Sequence, residues 1–209
     1  MIDIINELNR ARREVSDGAE VKTIVVSRRY DAAVEDVWDA CTDAERIGRW
    51  FLPVTGDLRL GGHYQLKGNA GGEILRCEPP HLLKVSWVMG EAPGLSEVEV
   101  RLTAEGGDAT LFELRHTAQV PPEMWSHYGP GAVGVGWDLA VLGLGLHLAG
   151  GSISDPDAWQ RTDEARRFMT ASGEAWGEAF QAAGAPPEQV AGAVARTLTF
   201  YVPETPEQE

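Results

Sequence analysis

The chain has 209 residues, 43% of them hydrophobic and 24% charged, with a formal net charge of −14. That length holds one domain with a full core plus added elements, and the acidic balance speaks against nucleic acid or an anionic membrane as the main partner, because both require a basic patch that releases counterions. The two cysteines, Cys41 and Cys77, form no CxxC and read as buried reduced thiols of a cytoplasmic protein rather than as a disulfide or a metal site.

The first 15 residues carry Asp3 and Glu7 and no continuous apolar core, so they do not read as a secretory signal. Ile2, Ile5 and Leu8 share a helical face, which makes residues 1–20 a short docking helix or arm. Residues 21–30, VKTIVVSRRY, are rich in β-branched side chains and read as a first strand. Asp31 is placed to cap a helix carrying Val34, Val37, Trp38 and Cys41, and Asp43 restarts a second one through Ile47 and Trp50 that Pro53 ends. From there the period changes to two. Residues 57–60, 62–67, 72–78, 82–89, 97–102 and 110–118 are six strand candidates parted by Gly, Pro or Asp turn signals. Alternation puts Leu83, Val85 and Trp87, then Val98, Val100 and Leu102, then Phe112, Leu114 and His116 on one covered face, with Tyr64 and Leu66 beside them. Glu97, Glu99 and Arg101 face water.

Residues 121–130, PPEMWSHYGP, read as a loop that leads into the long segment 131–150. There Val133, Trp137, Val141, Leu144 and Leu148 form one helical face and Leu139, Leu142 and Leu146 a second, so this helix needs cover on both sides. Asp138 and His147 inside it argue against membrane insertion, since an ionised Asp in hydrocarbon costs about 3 kcal/mol. Glycines 134, 136, 143 and 145 each weaken it by about 1 kcal/mol relative to Ala and leave room for close approach. Such a helix, laid across a concave sheet, is expected to leave space beneath it. After it, Asp155 with Pro156 and then Thr162 open helices, the second carrying Phe168, Met169, Trp176 and Phe180 up to Gly184. Pro186 and Pro187 open a last helix with Val190, Val194, Leu198 and Tyr201, and the tail beyond Pro203 is acidic and reads as disordered. The C-terminal helices are expected to dock on the long helix or on a second subunit as a homodimer.

Few motifs carry chemistry. Gly129 to Gly134 formally matches GxGxxG, but PPEMWSHY is no strand and no βαβ unit follows, so a dinucleotide site lacks its context. The five histidines, at 63, 81, 116, 127 and 147, include no pair at ligand spacing, so no metal is expected. His116 is the polar group to watch: it is either a core histidine or a polar anchor and proton-transfer group. His147 is a second candidate for the same space. The Arg28–Arg29 and Arg166–Arg167 pairs read as solvated faces.

Taken in order, a strand, two short helices, six strands and one long helix resemble the helix-grip fold of the SRPBCC (START-like) superfamily, which includes lipid-transfer domains and polyketide cyclases. Within it the chain is most similar to the branch named for activators of heat-shock protein 90 ATPase. The carrying residues are Val37-Trp38-Asp39, Arg46 to Trp50 with WFLP, Gly61-Gly62-His63-Tyr64, Gly72-Glu73-Ile74-Leu75 to Pro79-Pro80, Leu83 to Trp87, Thr110 to His116, and Gly136-Trp137. The resemblance implies an α+β protein, a curved antiparallel sheet wrapped on a long helix plus extra C-terminal helices. It divides the chain into an N-terminal helix or arm (1–20), a START-like domain (21–150) and a C-terminal helical extension (151–209). It also implies an elongated apolar cavity that binds a small hydrophobic or aromatic molecule, lipid or polyketide-like. The expected lining is Trp38, Trp50, Tyr64, Trp87, Phe112, Leu114, His116, Trp137 and Val141, with no catalytic residue, metal or cofactor assigned. Two alternatives stay open: a cyclase, dehydratase or hydrolase-like enzyme in the same cavity, and a protein-interaction or chaperone co-regulator module.

Overall fold

The computed structural model describes residues 4–90 and 94–202, so the expected acidic tail lies outside the described residues. Eight antiparallel strands form one sheet: β1 (Ala11–Asp17), β2 (Lys22–Tyr30), β3 (Val54–Gly56), β4 (His63–Leu66), β5 (Gly71–Glu78), β6 (Leu82–Ser86), β7 (Ser96–Ala104) and β8 (Thr110–Ala118). Their order is β1-β2-β8-β7-β6-β5-β4-β3. Between β2 and β3 stand the short helices α2 (Val34–Thr42) and α3 (Ala44–Trp50), and α1 (Ile4–Asn9) precedes the sheet. After β8 come α4 (Pro122–Tyr128), the long α5 (Gly131–Leu148), α6 (Pro156–Trp159), α7 (Asp163–Ala182) and α8 (Pro187–Tyr201). This is the α+β helix-grip arrangement, with C-terminal helices added to it.

The register builds the inner face in rows. Val26, Leu114, Val100, Leu83 and Cys77 are successive cross-strand partners on β2, β8, β7, β6 and β5. The next row holds Ile24, His116, Val98, Val85 and Ile74. A bulge between Ile74 and Arg76 bends β5, and bulges of this kind curl a sheet.

Several elements depart from the sequence reading. Residues 11–17 are a full edge strand paired along its length with β2, although ARREVSD holds little apolar pattern. An edge strand tolerates and even favours such charge. Residues 122–128, read as loop, are helical because Pro122 stands at the first position, with Glu123 in the first turn and His127 in the last. The strand expected at 57–60 lies instead at Val54–Gly56. Asp31 does not cap α2, whose N-cap is Ala33 without a side-chain bond; it pairs with Arg29. Asp43, Asp155 and Thr162 do cap the helices that follow them, each accepting a backbone N–H three residues on.

Helix α5 is the one helix among the described residues long and apolar enough to cross a membrane by composition. Here one side faces the sheet and the other is covered by α7. Gly134 makes that second contact: a Cβ there would lie 2.4 Å from Trp176 Cε2. Gly143 likewise admits the Trp50 carbonyl and Gly145 the Arg28 guanidinium. Asp138, 2% exposed, ties three elements together, accepting from Arg13 Nε of β1 at 2.8 Å, Trp176 Nε1 at 3.0 Å and Ser172 Oγ. Arg28 is buried as well, against the expectation of a solvated face; it pairs with Glu7 and stacks on Tyr30. Its neighbour Arg29 is on the surface.

Candidate functional site

Between the sheet and the inner face of α5 lies an apolar cavity of about 160 Å³. From α5 it is lined by Trp137, Ala140, Val141 and Leu144, spaced at three and four residues as one helical face must be. None of these is a glycine. The empty space therefore does not come from the missing side chains of α5, which face Trp176, Trp50 and Arg28 instead. The sheet contributes Leu114, Val100, Leu83 and Cys77 from one row and Val98, Val85 and Ile74 from the next. Leu58, 37% exposed, borders the cavity on its way to solvent.

Aromatic rings wall one end. Trp50 stacks on Phe51 and Phe51 on Trp137, with centroids 5.6 and 6.4 Å apart. Trp137 then meets Trp87 at 4.9 Å, and Trp87 meets Tyr64 at 6.5 Å. Three of the four polar tips in this arc are taken up by the protein. Trp50 Nε1 donates to the Ala40 carbonyl at 2.9 Å, Tyr64 Oη to the Ser86 carbonyl at 2.7 Å, and Trp137 Nε1 to His116 Nδ1 at 3.2 Å. Thr42 Oγ1 donates to the Trp38 carbonyl. The cavity thus presents ring faces and aliphatic carbons, a surface suited to apolar guests.

Of the nine residues read from the sequence, Trp50, Tyr64, Trp87, Phe112, Leu114, Trp137 and Val141 line this cavity, and two do not. Trp38 is half-buried on α2, whose inward stripe is Val34, Val37 and Ala40, with Cys41 as the cavity residue. His116 does point to the covered face, yet it lies behind Trp137, its Nδ1 accepting from that indole and its Nε2 facing Ser96 Oγ at 3.0 Å. Burial lowers the His116 pKa to about 4, so the ring is neutral, with the proton on Nε2 given the donor at Nδ1. It is a partition, not an acid or base exposed to a guest. His147 is also outside, accepting from Arg46 Nε at 3.3 Å, and its pKa is lowered by burial and by Arg46 and Arg49.

Sequence reasoning left most of the aliphatic lining out of the site, and with it Cys41, Thr42, Phe51 and Leu144. Phe51 is visible as half of the WFLP landmark, Leu144 shares its helical face with Trp137 and Val141, and Cys41 shares one with Val34 and Val37; nothing in the pattern marks Thr42. Burial pushes the Cys41 thiol up to about 12, against the opposing pull of Arg46. Burial likewise raises the Tyr64 phenol. Neither is ionised near neutrality, and among the described residues no cluster of His, Cys, Asp and Glu is placed to hold a metal.

A family model described as activator of Hsp90 ATPase homolog 1-like protein matches residues 31–145. The crystal structure of CalU16 from Micromonospora echinospora is 42% identical, covers 81% of this chain and 98% of its own, and superposes with a TM-score of 0.65. DynU16, from the dynemicin biosynthetic locus, shares the fold at 23% identity and TM-score 0.55, over 65% of this chain and 50% of that one. A Thalictrum flavum norcoclaurine synthase mutant, solved with a transition-state analogue, shares it at 14% identity and TM-score 0.52, over 64% of this chain and 98% of that one. No curated protein matches in sequence.

Proposed function

The chain belongs to the family of activator of Hsp90 ATPase homolog 1-like proteins, and from that premise we propose that it binds a small aromatic or otherwise apolar molecule in the cavity between sheet and α5. One observation carries this reading: an apolar void of about 160 Å³ walled by an unbroken arc of rings, three of whose four N–H and O–H groups are turned to protein acceptors. A cavity of about 150 Å³ lined by apolar side chains stays dry and holds benzene. The space here accommodates one ring, with the rest of a larger guest directed past Leu58. Interior walls with so few free donors favour a guest whose polar groups sit at that outer end.

Thermal unfolding with naphthalene-type aromatics, polyketide-like phenols and fatty acids tests it, with native mass spectrometry as the second readout. A guest at 100 times its Kd stabilises by about 2.7 kcal/mol, which for a chain of this size raises Tm by roughly 5–10 °C. Ala140→Phe, which places a ring in the cavity, should remove that rise while leaving the fold intact. Absence of any shift with every class, or a shift untouched by Ala140→Phe, refutes the proposal.

A further inference from the structure

A second recess, of about 90 Å³, lies on the other side of the His116–Trp137 partition, between β2, β8, α4 and the start of α5. Its body is apolar, formed by Ile24, Val120, Met124 and Val133 among others, and none of its twelve lining residues is acidic. Three features in it favour a negatively polarised guest. Trp125, 7% exposed, lines the recess, and its Nε1–H is buried with no hydrogen-bond partner. A buried orphan donor is costly and asks for an acceptor. Lys22 also lines it, its ammonium 5.5 Å from the Trp125 ring centre and held there by Asp17 and the Gly18 carbonyl. Finally, α5 begins at the recess with Ala132 and Val133 in the wall, no side-chain cap and no acidic residue in its first turn. The first intrahelical bond is Gly134 N–H to the Pro130 carbonyl, which leaves the preceding amides and the positive end of an 18-residue helix without an internal counterpart.

We infer that this recess is a second binding site, distinct from the main cavity, for a small carboxylate with an apolar body. The carboxylate accepts from Trp125 Nε1 and faces Lys22 and the opening amides of α5, while its hydrocarbon part rests on Ile24, Val120 and Met124. His116 closes the inner wall as a neutral ring, both of its nitrogens already engaged.

The test is a titration of the full chain, labelled with indole-¹⁵N tryptophan, with phenylacetate, phenylacetamide and toluene. Trp125→Phe assigns the resonance. Phenylacetate should move the Trp125 indole proton downfield and saturate; phenylacetamide should do so several-fold more weakly, and toluene should leave it in place. The response should persist in Ala140→Phe and weaken about five- to tenfold in Lys22→Met. Movement confined to the Trp50, Trp87 and Trp137 indoles overturns this site while leaving the main-cavity reading intact. Equal responses to phenylacetate and toluene, a response lost in Ala140→Phe, or a still Trp125 signal at saturating phenylacetate each overturn it as well.

Discussion

Acidification should unlatch His116, and the size of the effect follows from its surroundings. The ring is 9% exposed and receives the Trp137 indole N–H on Nδ1. A proton added there would set two N–H groups against each other beside the cavity wall. Burial places the folded-state pKa at about 4, whereas an unfolded chain titrates near 6.5. As pH falls the unfolded state therefore takes up the proton first. The stability owed to a neutral His116 is complete above roughly pH 7 and is lost as pH drops from about 6.5 towards 4. Over about 2.5 pH units at 1.36 kcal/mol each, the loss is about 3 kcal/mol. Urea unfolding followed by circular dichroism between pH 7.5 and 4 measures it. Carboxylates titrate in the same range, so the comparison is with His116→Gln, which keeps an acceptor for Trp137 but not the proton site. The wild type should lose about 3 kcal/mol more than the variant over this interval. Equal losses, or a His116 Cε1–H resonance that titrates near 6.5, refute the reasoning.

Removing the carboxylate at the centre of the helical layer should be more severe than any surface change. In Asp138→Ala the Arg13 guanidinium, with its side chain 8% exposed, is left buried and unpaired, and unfolding free energy in urea should drop by about 3–5 kcal/mol; a drop below about 1 kcal/mol refutes the assigned role. Gly134→Ala gains about 1 kcal/mol in helix propensity but drives a methyl into the Trp176 ring, and overpacking at a site this tight should lower the Tm despite that gain. A Tm equal to or above that of the parent contradicts the close approach. At pH 8 iodoacetamide should modify Cys41 about a thousandfold more slowly than an unperturbed thiol, because a pKa near 12 leaves roughly one thiolate in ten thousand. Mass spectrometry of the tryptic peptides reads this directly, and rapid alkylation would place Cys41 outside the buried wall.

How much of this was legible in the sequence depends on which signal was being read. Val98, Val100 and Leu102 alternate without interruption, and the register confirms that they share the inner face with Leu114 and Phe112. The stripe from Ala165 to Phe180 marks α7 because its apolar residues recur at helical spacing and Thr162 caps it. By contrast β1 is silent. Its inward Arg13 finds its partner 125 residues along the chain, so the position reads as solvated until the fold brings Asp138 to it. Alternation also says which face a residue occupies, not where along the strand the helix crosses. It therefore put His116 inward correctly but could not tell that Trp137 would stand between it and the cavity. The glycines of α5 were legible as points of close approach, and their partners were not. What comes close is the Trp176 ring at Gly134 and the Trp50 carbonyl at Gly143.

The clasp of Arg13, Ser172 and Trp176 on Asp138 bears on traffic through the molecule. Pinned from outside by α7 and from the side by β1, α5 is a fixed wall and no lid. For a guest bound as proposed, exchange then falls to the opposite rim, where the three-residue β3 runs on into Leu58. Residence time should thus be set by the opening of that small hairpin, and engineering for faster or slower release belongs there and not in the long helix.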